Sequence, residues 1–361
     1  FKAHPHAAFS QVVEPGDDHF AASPQKIALI NLFLRKAVQY RLPAESTDDG
    51  PVTLKPVDPA KTGWLYDAWR RDTLPGAPAA PVADYKGKRD HAYWAFDEEM
   101  ADAIEQFQST ERNKKNVLVG YRQKDGLTNP SPDHMEVHLK FEPIGDGLTF
   151  RLTGGFFDTV PTTKDGKPGA WQNTLGEGAR TVQQGEPIPH PQREEDKFTI
   201  EPICGPVAQL SKDTFAIRFN RIGMDNPKRC AAICFNLTYA GDETFKRIAE
   251  RAELRFPLKN TKGTPQSIDF PAIADVQASD AVKPVQLTAK SSSGAHVFYY
   301  VREGPAEVDD DGKLTFTPIP PKTKYPIDVT VVAWQWGRSI EPLMQSATPV
   351  TRSFKIEKGS K

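Results

Sequence analysis

From about residue 116 onward this chain repeats one local pattern. Short runs of β-branched and aromatic residues alternate with clusters of Gly, Pro, Asn and Asp. The runs cover 117–121, 134–142, 148–152, 198–203, 214–219 and 233–239, each of a length suited to a strand and short for a helix. Asp146-Gly147 between two of them is a hairpin signal, because such pairs accept the positive φ of a tight turn. The 32 prolines, roughly 9% of the chain against an average near 5%, fall mostly between the runs and suit a loop-rich β protein. Residues 243–253 read as a short helix.

The expected fold class is therefore mainly β and multidomain. Residues 96–263 form a β-rich middle domain with two short helices. The first of these starts at Asp97 and sets Met100, Ile104 and Phe107 on one face, the spacing of an amphipathic helix. Residues 44–95 read as a connector rich in proline and aromatics, with the cluster GWLYDAW at 63–69 docked on a neighbour. Residues 164–195 read as a long loop. The 46 Lys and Arg balance 47 Asp and Glu, so the basic excess of a nucleic-acid footprint is missing. No apolar run nears the roughly 20 residues of a membrane span. Neither a nucleic-acid partner nor a span is expected.

Residues 9–37, FSQVVEPGDDHFAASPQKIALINLFLRKA, read as a strand, an acidic loop carrying His19, and a helix. Ser23-Pro24 supplies the N-cap oxygen and a proline at N1, where its missing N–H costs nothing. Ile27, Ile30, Leu34 and Val38 make one apolar stripe, expected to pack on a sheet. Over residues 1–43 the chain resembles the C-terminal catalytic-histidine segment of the α/β-hydrolase family. The resemblance implies that His19 is a general base and that the strand and helix are the remnant of an α/β-hydrolase domain. In that family the order is Ser…Asp/Glu…His, and no G-x-S-x-G occurs here. The implied protein is the C-terminal portion of a secreted bacterial serine hydrolase for esters or amides. Its nucleophile and acid would lie on an upstream polypeptide, and this chain alone would be inactive.

Residues 264–361 resemble a bacterial immunoglobulin-like domain. The run QSIDFP opens it, SSSG precedes VFYYV at 297–301, and VTVVAWQWG at 329–337 supplies a late strand. The resemblance implies a β-sandwich of about 90 residues serving as a spacer or docking surface. The alternative function is thus a non-enzymatic extracellular β-sandwich protein for carbohydrate binding or surface attachment. Either way the chain is expected to be secreted, periplasmic or at a bacterial cell surface, with carbohydrate or the surface itself as partner.

Other residues could carry chemistry. His134, Glu136 and His138 alternate along one strand face, as metal ligands can, but no further ligand completes the set. A solvated face with no metal or cofactor is expected. Trp64, Trp69 and Trp94 are candidates for stacking on sugars, set against core packing as the commoner fate of tryptophan. Asp309-Asp310-Asp311-Gly312 lacks the spacing of a calcium loop and reads as an acidic turn. The three cysteines, Cys204, Cys230 and Cys234, leave a disulfide from Cys204 to either of the others open, alongside buried free thiols. Asn236-Leu237-Thr238 matches a glycosylation sequon by what is expected to be chance.

Overall fold

A computed structural model describes residues 2–14, 23–45, 51–70, 73–129, 137–162, 182–192, 197–221, 223–224, 232–279 and 283–359. The architecture is mainly β. Two α-helices, α1 (Pro24–Arg41) and α2 (Glu98–Ser109), stand against seven small sheets among the described residues.

The first unit contains both helices and a three-stranded antiparallel sheet of Ala80–Pro81, Trp64–Asp67 and Ala92–Ala95. Leu65, Tyr66, Trp94 and Ala95 are almost fully buried. The stretch expected to connect domains therefore supplies a core of its own. Gly63 is required there. Its φ is +83°, and a Cβ would fall 2.4 Å from Trp94 Nε1 and 2.5 Å from the Ala95 carbonyl oxygen.

This arrangement corrects the α/β-hydrolase resemblance. The residues before His19 form no strand among those described. Phe9 and Ser10 lie against the strand Ala92–Ala95, where the Trp94 N–H donates to the Phe9 carbonyl (3.1 Å) and the Ser10 hydroxyl donates to the Trp94 carbonyl (2.6 Å). The sheet beneath α1 is antiparallel and built from residues downstream of it. A hydrolase remnant would end a largely parallel sheet built from upstream strands. The described residues form no such remnant, and His19 itself lies outside them.

The middle unit pairs strands in three sheets. One orders Phe198–Cys204, Ala232–Tyr239, Ile248–Arg255 and Val137–Leu139, the last pair parallel. The stretch expected as a helix at 243–253 is largely this third strand. Its register against Ala232–Tyr239 is continuous over eight residue pairs. Ala252 and Leu254 face the core, while Arg251 and Arg255 lie on the other face. The Asp146-Gly147 turn forms as expected between Pro143–Ile144 and Thr149–Arg151. Asp146 Oδ1 accepts the N–H groups of Leu148 (2.9 Å) and Thr149 (2.7 Å).

The C-terminal unit is a β-sandwich whose larger sheet orders Val276–Gln277, Val350–Glu357, Ile327–Trp334 and Phe298–Glu303. Two of its strands, Ile327–Trp334 and Phe298–Glu303, are buried on both faces. Tyr299, Val301, Val329, Val331 and Ala333 fill the sandwich itself. Phe298, Tyr300, Val332 and Trp334 point the other way, into the core of the middle unit. That double burial explains the run VTVVAW, apolar but for Thr330, which lacks the alternation of a half-exposed strand. Trp334 meets Phe219 edge-on at 5.0 Å, and Trp336 donates its indole N–H to the Pro257 carbonyl at 2.6 Å.

Candidate functional site

The helix α1 begins as its sequence demands. The Ser23 hydroxyl accepts the Lys26 N–H (3.1 Å) and donates to Glu14 Oε1 (2.7 Å). The inward face is the one with Leu29, Leu32, Lys36 and Tyr40, which packs toward α2 and Phe96. Lys36 is 7% exposed and holds this face in place. Its ammonium pairs with Asp97 at 2.6 Å and with Glu99. Asp97 in turn caps α2 by accepting the Met100 N–H (3.0 Å), and it accepts the Tyr40 hydroxyl (3.0 Å). Hydrogen bonds from Lys36 to Asp97 and Glu99 push the Lys36 ammonium above its ordinary range. Burial alone would raise the Asp97 carboxyl, but Lys36, the Met100 N–H and Tyr40 together hold it below the usual carboxylate range.

With Lys36 turned inward, the predicted stripe turns outward. Ile27, Ile30, Leu34 and Val38 are each more than half exposed. Ten of the fourteen large hydrophobic side chains that lie exposed among the described residues fall between Phe9 and Leu54. Monomeric soluble proteins seldom leave such side chains clustered without a use for them. The stripe borders a groove of about 510 Å³ between the N-terminal segment and the two helices. Val12, Leu29, Ile30, Phe33, Ile104 and Phe107 give it an apolar lining, with Glu14 and Lys26 on one rim. The Glu14–Lys26 pair closes at 2.5 Å, and burial together with nearby Arg247 pushes the Lys26 ammonium down.

The structure does not gather the residues singled out from sequence. His134 and Glu136 lie outside the described residues, as His19 does. His138 stands exposed between core-facing Val137 and Leu139. Among the described residues no three His, Cys, Asp or Glu side chains are grouped to hold a metal. Trp94 cannot stack on a sugar: it is 1% exposed and its indole N–H is spent on the Thr62 carbonyl (2.7 Å). Trp64 and Trp69 are half-buried. Asp309 accepts the N–H groups of Asp311 (3.1 Å) and Lys313 (2.8 Å), and Asp310 pairs with Arg218 at 2.7 Å, so this acidic run is a turn. Asn236 is buried, with its amide on the Thr238 hydroxyl (3.0 Å), which closes the sequon to a glycan in the folded chain.

The apolar residues of α1 are legible in the sequence, but the stripe expected to meet the core faces outward. The available signal was that Leu29, Leu32 and Phe33 lie off the stripe. The helix is apolar on more than one face, and one face could serve the core while another remained open.

No family model matches the chain, and no curated protein matches it. Solved structures with some likeness are cadherin ectodomains. Drosophila N-cadherin EC1-4 is 11% identical with a TM-score of 0.21, over 45% of this chain and 41% of that one. Human protocadherin-24 EC1-2 is 9% identical with a TM-score of 0.21, over 46% of this chain and 86% of that one. Protocadherin gamma B2 domains 3-6 are 10% identical with a TM-score of 0.21, over 69% of this chain and 50% of that one. At TM-scores this low the likeness carries neither ligand nor partner over to this chain. No described helix is long and apolar enough to cross a membrane.

Proposed function

We propose that the chain is a non-enzymatic extracellular attachment protein. Its two β units act as a stiff mount, and its N-terminal helical unit makes the contact through the open face of α1. The observation that carries this reading is the concentration of exposed apolar side chains on that unit. The middle and C-terminal units, by contrast, bury Trp334 and Trp336 in a shared core. Sandwich units are a common build of cell-surface proteins, which supports the extracellular placement. The contact favoured is with a protein surface that is itself apolar, since the groove beside α1 offers few polar groups to orient a sugar.

The test is retention of the fluorescently labelled chain on intact cells of the source organism. The expected result is retention that is lost in the double variant Ile30→Glu/Leu34→Glu and kept in Trp69→Ala. Equal retention of the double variant on cells, or binding to insoluble cellulose or chitin that only Trp69→Ala removes, would overturn it in favour of a sugar-binding surface.

A further inference from the structure

The strands Phe198–Cys204 and Ala232–Tyr239 pair in strict register from Phe198↔Tyr239 to Pro202↔Phe235. The register then slips by one at Ile203, and Cys204 comes opposite Cys234. Without the slip Cys204 would oppose Ile233, which faces the core. A β-bulge re-aims the side chains beyond it. Here it turns Cys204 out of the core side and onto the face that carries Cys234. Directly opposed residues on antiparallel strands have Cα atoms about 4.5 to 5.5 Å apart, inside the window of about 4.4 to 6.8 Å that a disulfide spans. The two thiols are neighbours on that face, close enough to perturb each other. The Arg251 guanidinium, from the next strand, lies 3.0 Å from Cys234 Sγ. Cys204 is exposed and Cys234 buried.

We propose that Cys204 and Cys234 are a redox-active dithiol that closes into a cross-strand disulfide on meeting a low-molecular-weight disulfide. Cys204 is the group a small oxidant can reach. Its thiolate attacks one sulfur of the oxidant and expels the other as a thiol, leaving a mixed disulfide on Cys204. Cys234, losing its proton to solvent, then attacks Cys204 Sγ and expels the second small thiol. Two protein thiols are oxidised, one disulfide is reduced to two thiols, and no further reactant is needed. Burial and the neighbouring Cys204 push the Cys234 thiol up, and the Arg251 guanidinium works against that shift toward the attacking thiolate. The bond would pin the bulge and the end of this strand pair. The inference is independent of the proposed attachment function.

The experiment is titration of the reduced chain with oxidised glutathione, followed by tryptic mapping without reductant. Cleavage after Lys197, Lys212, Arg229 and Lys246 puts Cys204 in one peptide and places Cys230 with Cys234 in another. The mapping is therefore repeated on Cys230→Ala. The expected result is that peptides 198–212 and 230–246 are joined in the wild type and in Cys230→Ala. The link should be absent in Cys204→Ala, whose change is at an exposed position, and should open again with dithiothreitol. A link that vanishes in Cys230→Ala would make Cys230 the partner and overturn the proposal. A stable glutathione adduct on Cys204, with Cys234 still free, would overturn it equally.

Discussion

The Arg247 guanidinium lies 2.9 Å from Glu14 Oε1, joining the middle unit to the N-terminal segment through a pair in which both side chains are largely withdrawn from water. The same guanidinium sits over the Phe107 ring at 5.2 Å, and the Arg247 N–H donates to Glu111 Oε2 at 2.6 Å. One residue thus fixes where the N-terminal segment and α2 lie on the β units. Arg247→Met removes a buried charged contact but leaves Glu14 paired with Lys26, so the loss is of the order of a charged hydrogen bond, about 1.5 to 3 kcal/mol. Arg247→Met is therefore expected to lower the unfolding free energy by that order, and the denaturant midpoint with it. Arg247→Met with Glu14→Leu should lower stability further, because Lys26 and the Ser23 hydroxyl then lose Glu14 as well. Equilibrium unfolding of the single and double variants checks both.

The Lys36–Asp97 pair predicts how stability follows pH. The Asp97 carboxyl is lowered from 3.8 in the folded chain. Its contribution is complete above that value and is lost as pH falls through the lowered one. The Lys36 ammonium is raised from 10.5. Its contribution is complete below that value and is lost as pH rises through the raised one. Thermal midpoints should hold a plateau between about pH 4 and pH 10 and fall on either side. Asp97→Asn keeps a capping oxygen for α2 while removing the charge. It should lower the plateau and flatten the acid limb, as thermal scans across pH would show.

How much of this was legible in the sequence depends on how far apart the deciding partners lie. Helix α2 was legible because Asp97, Met100, Ile104 and Phe107 are close together and agree. Helix α1 was legible as a helix through Ser23 and Pro24, but its buried face was not. Lys36 goes inward only because Asp97 and Glu99, some sixty residues later, meet it there. Residues 248–255 have the composition of a helix, and eight cross-strand pairs override it. The hydrolase resemblance failed for the same reason. Strand, loop and helix are a local sequence pattern, whereas the sheet they join is set by residues 64–95. The outward face of α1, on which the proposed function rests, was present in the sequence as apolar residues, but nothing local told open from buried.

The shared core of the middle and C-terminal units predicts that they unfold together. Trp334 is fully buried and packs on Phe219 and, at 5.0 Å, on Phe298. Truncating such a residue costs about 3 to 5 kcal/mol. Trp334→Ala should lower the midpoint of a single calorimetric transition that contains both units. A wild-type trace with two well-separated β transitions, only one of them shifted by the change, would show that the shared core does not couple them.

The open face of α1 predicts a separation of stability from binding. Ile30 and Leu34 are each more than half exposed, and substitutions at such positions usually change stability by no more than about 0.5 kcal/mol. Glutamate at both should leave the thermal midpoint within a degree or two of the wild type, since a domain of this size shifts by only about 2 to 4 °C per kcal/mol. The same change puts two carboxylates in the middle of the apolar stripe, and a contact that buries the stripe must then desolvate both. Binding to an apolar probe such as anilinonaphthalene sulfonate should fall several-fold with the fold intact. A double variant that unfolds early would mean that α1 is held by this face after all. The inward set of Leu29, Leu32, Lys36 and Tyr40 would then not be the one that anchors it.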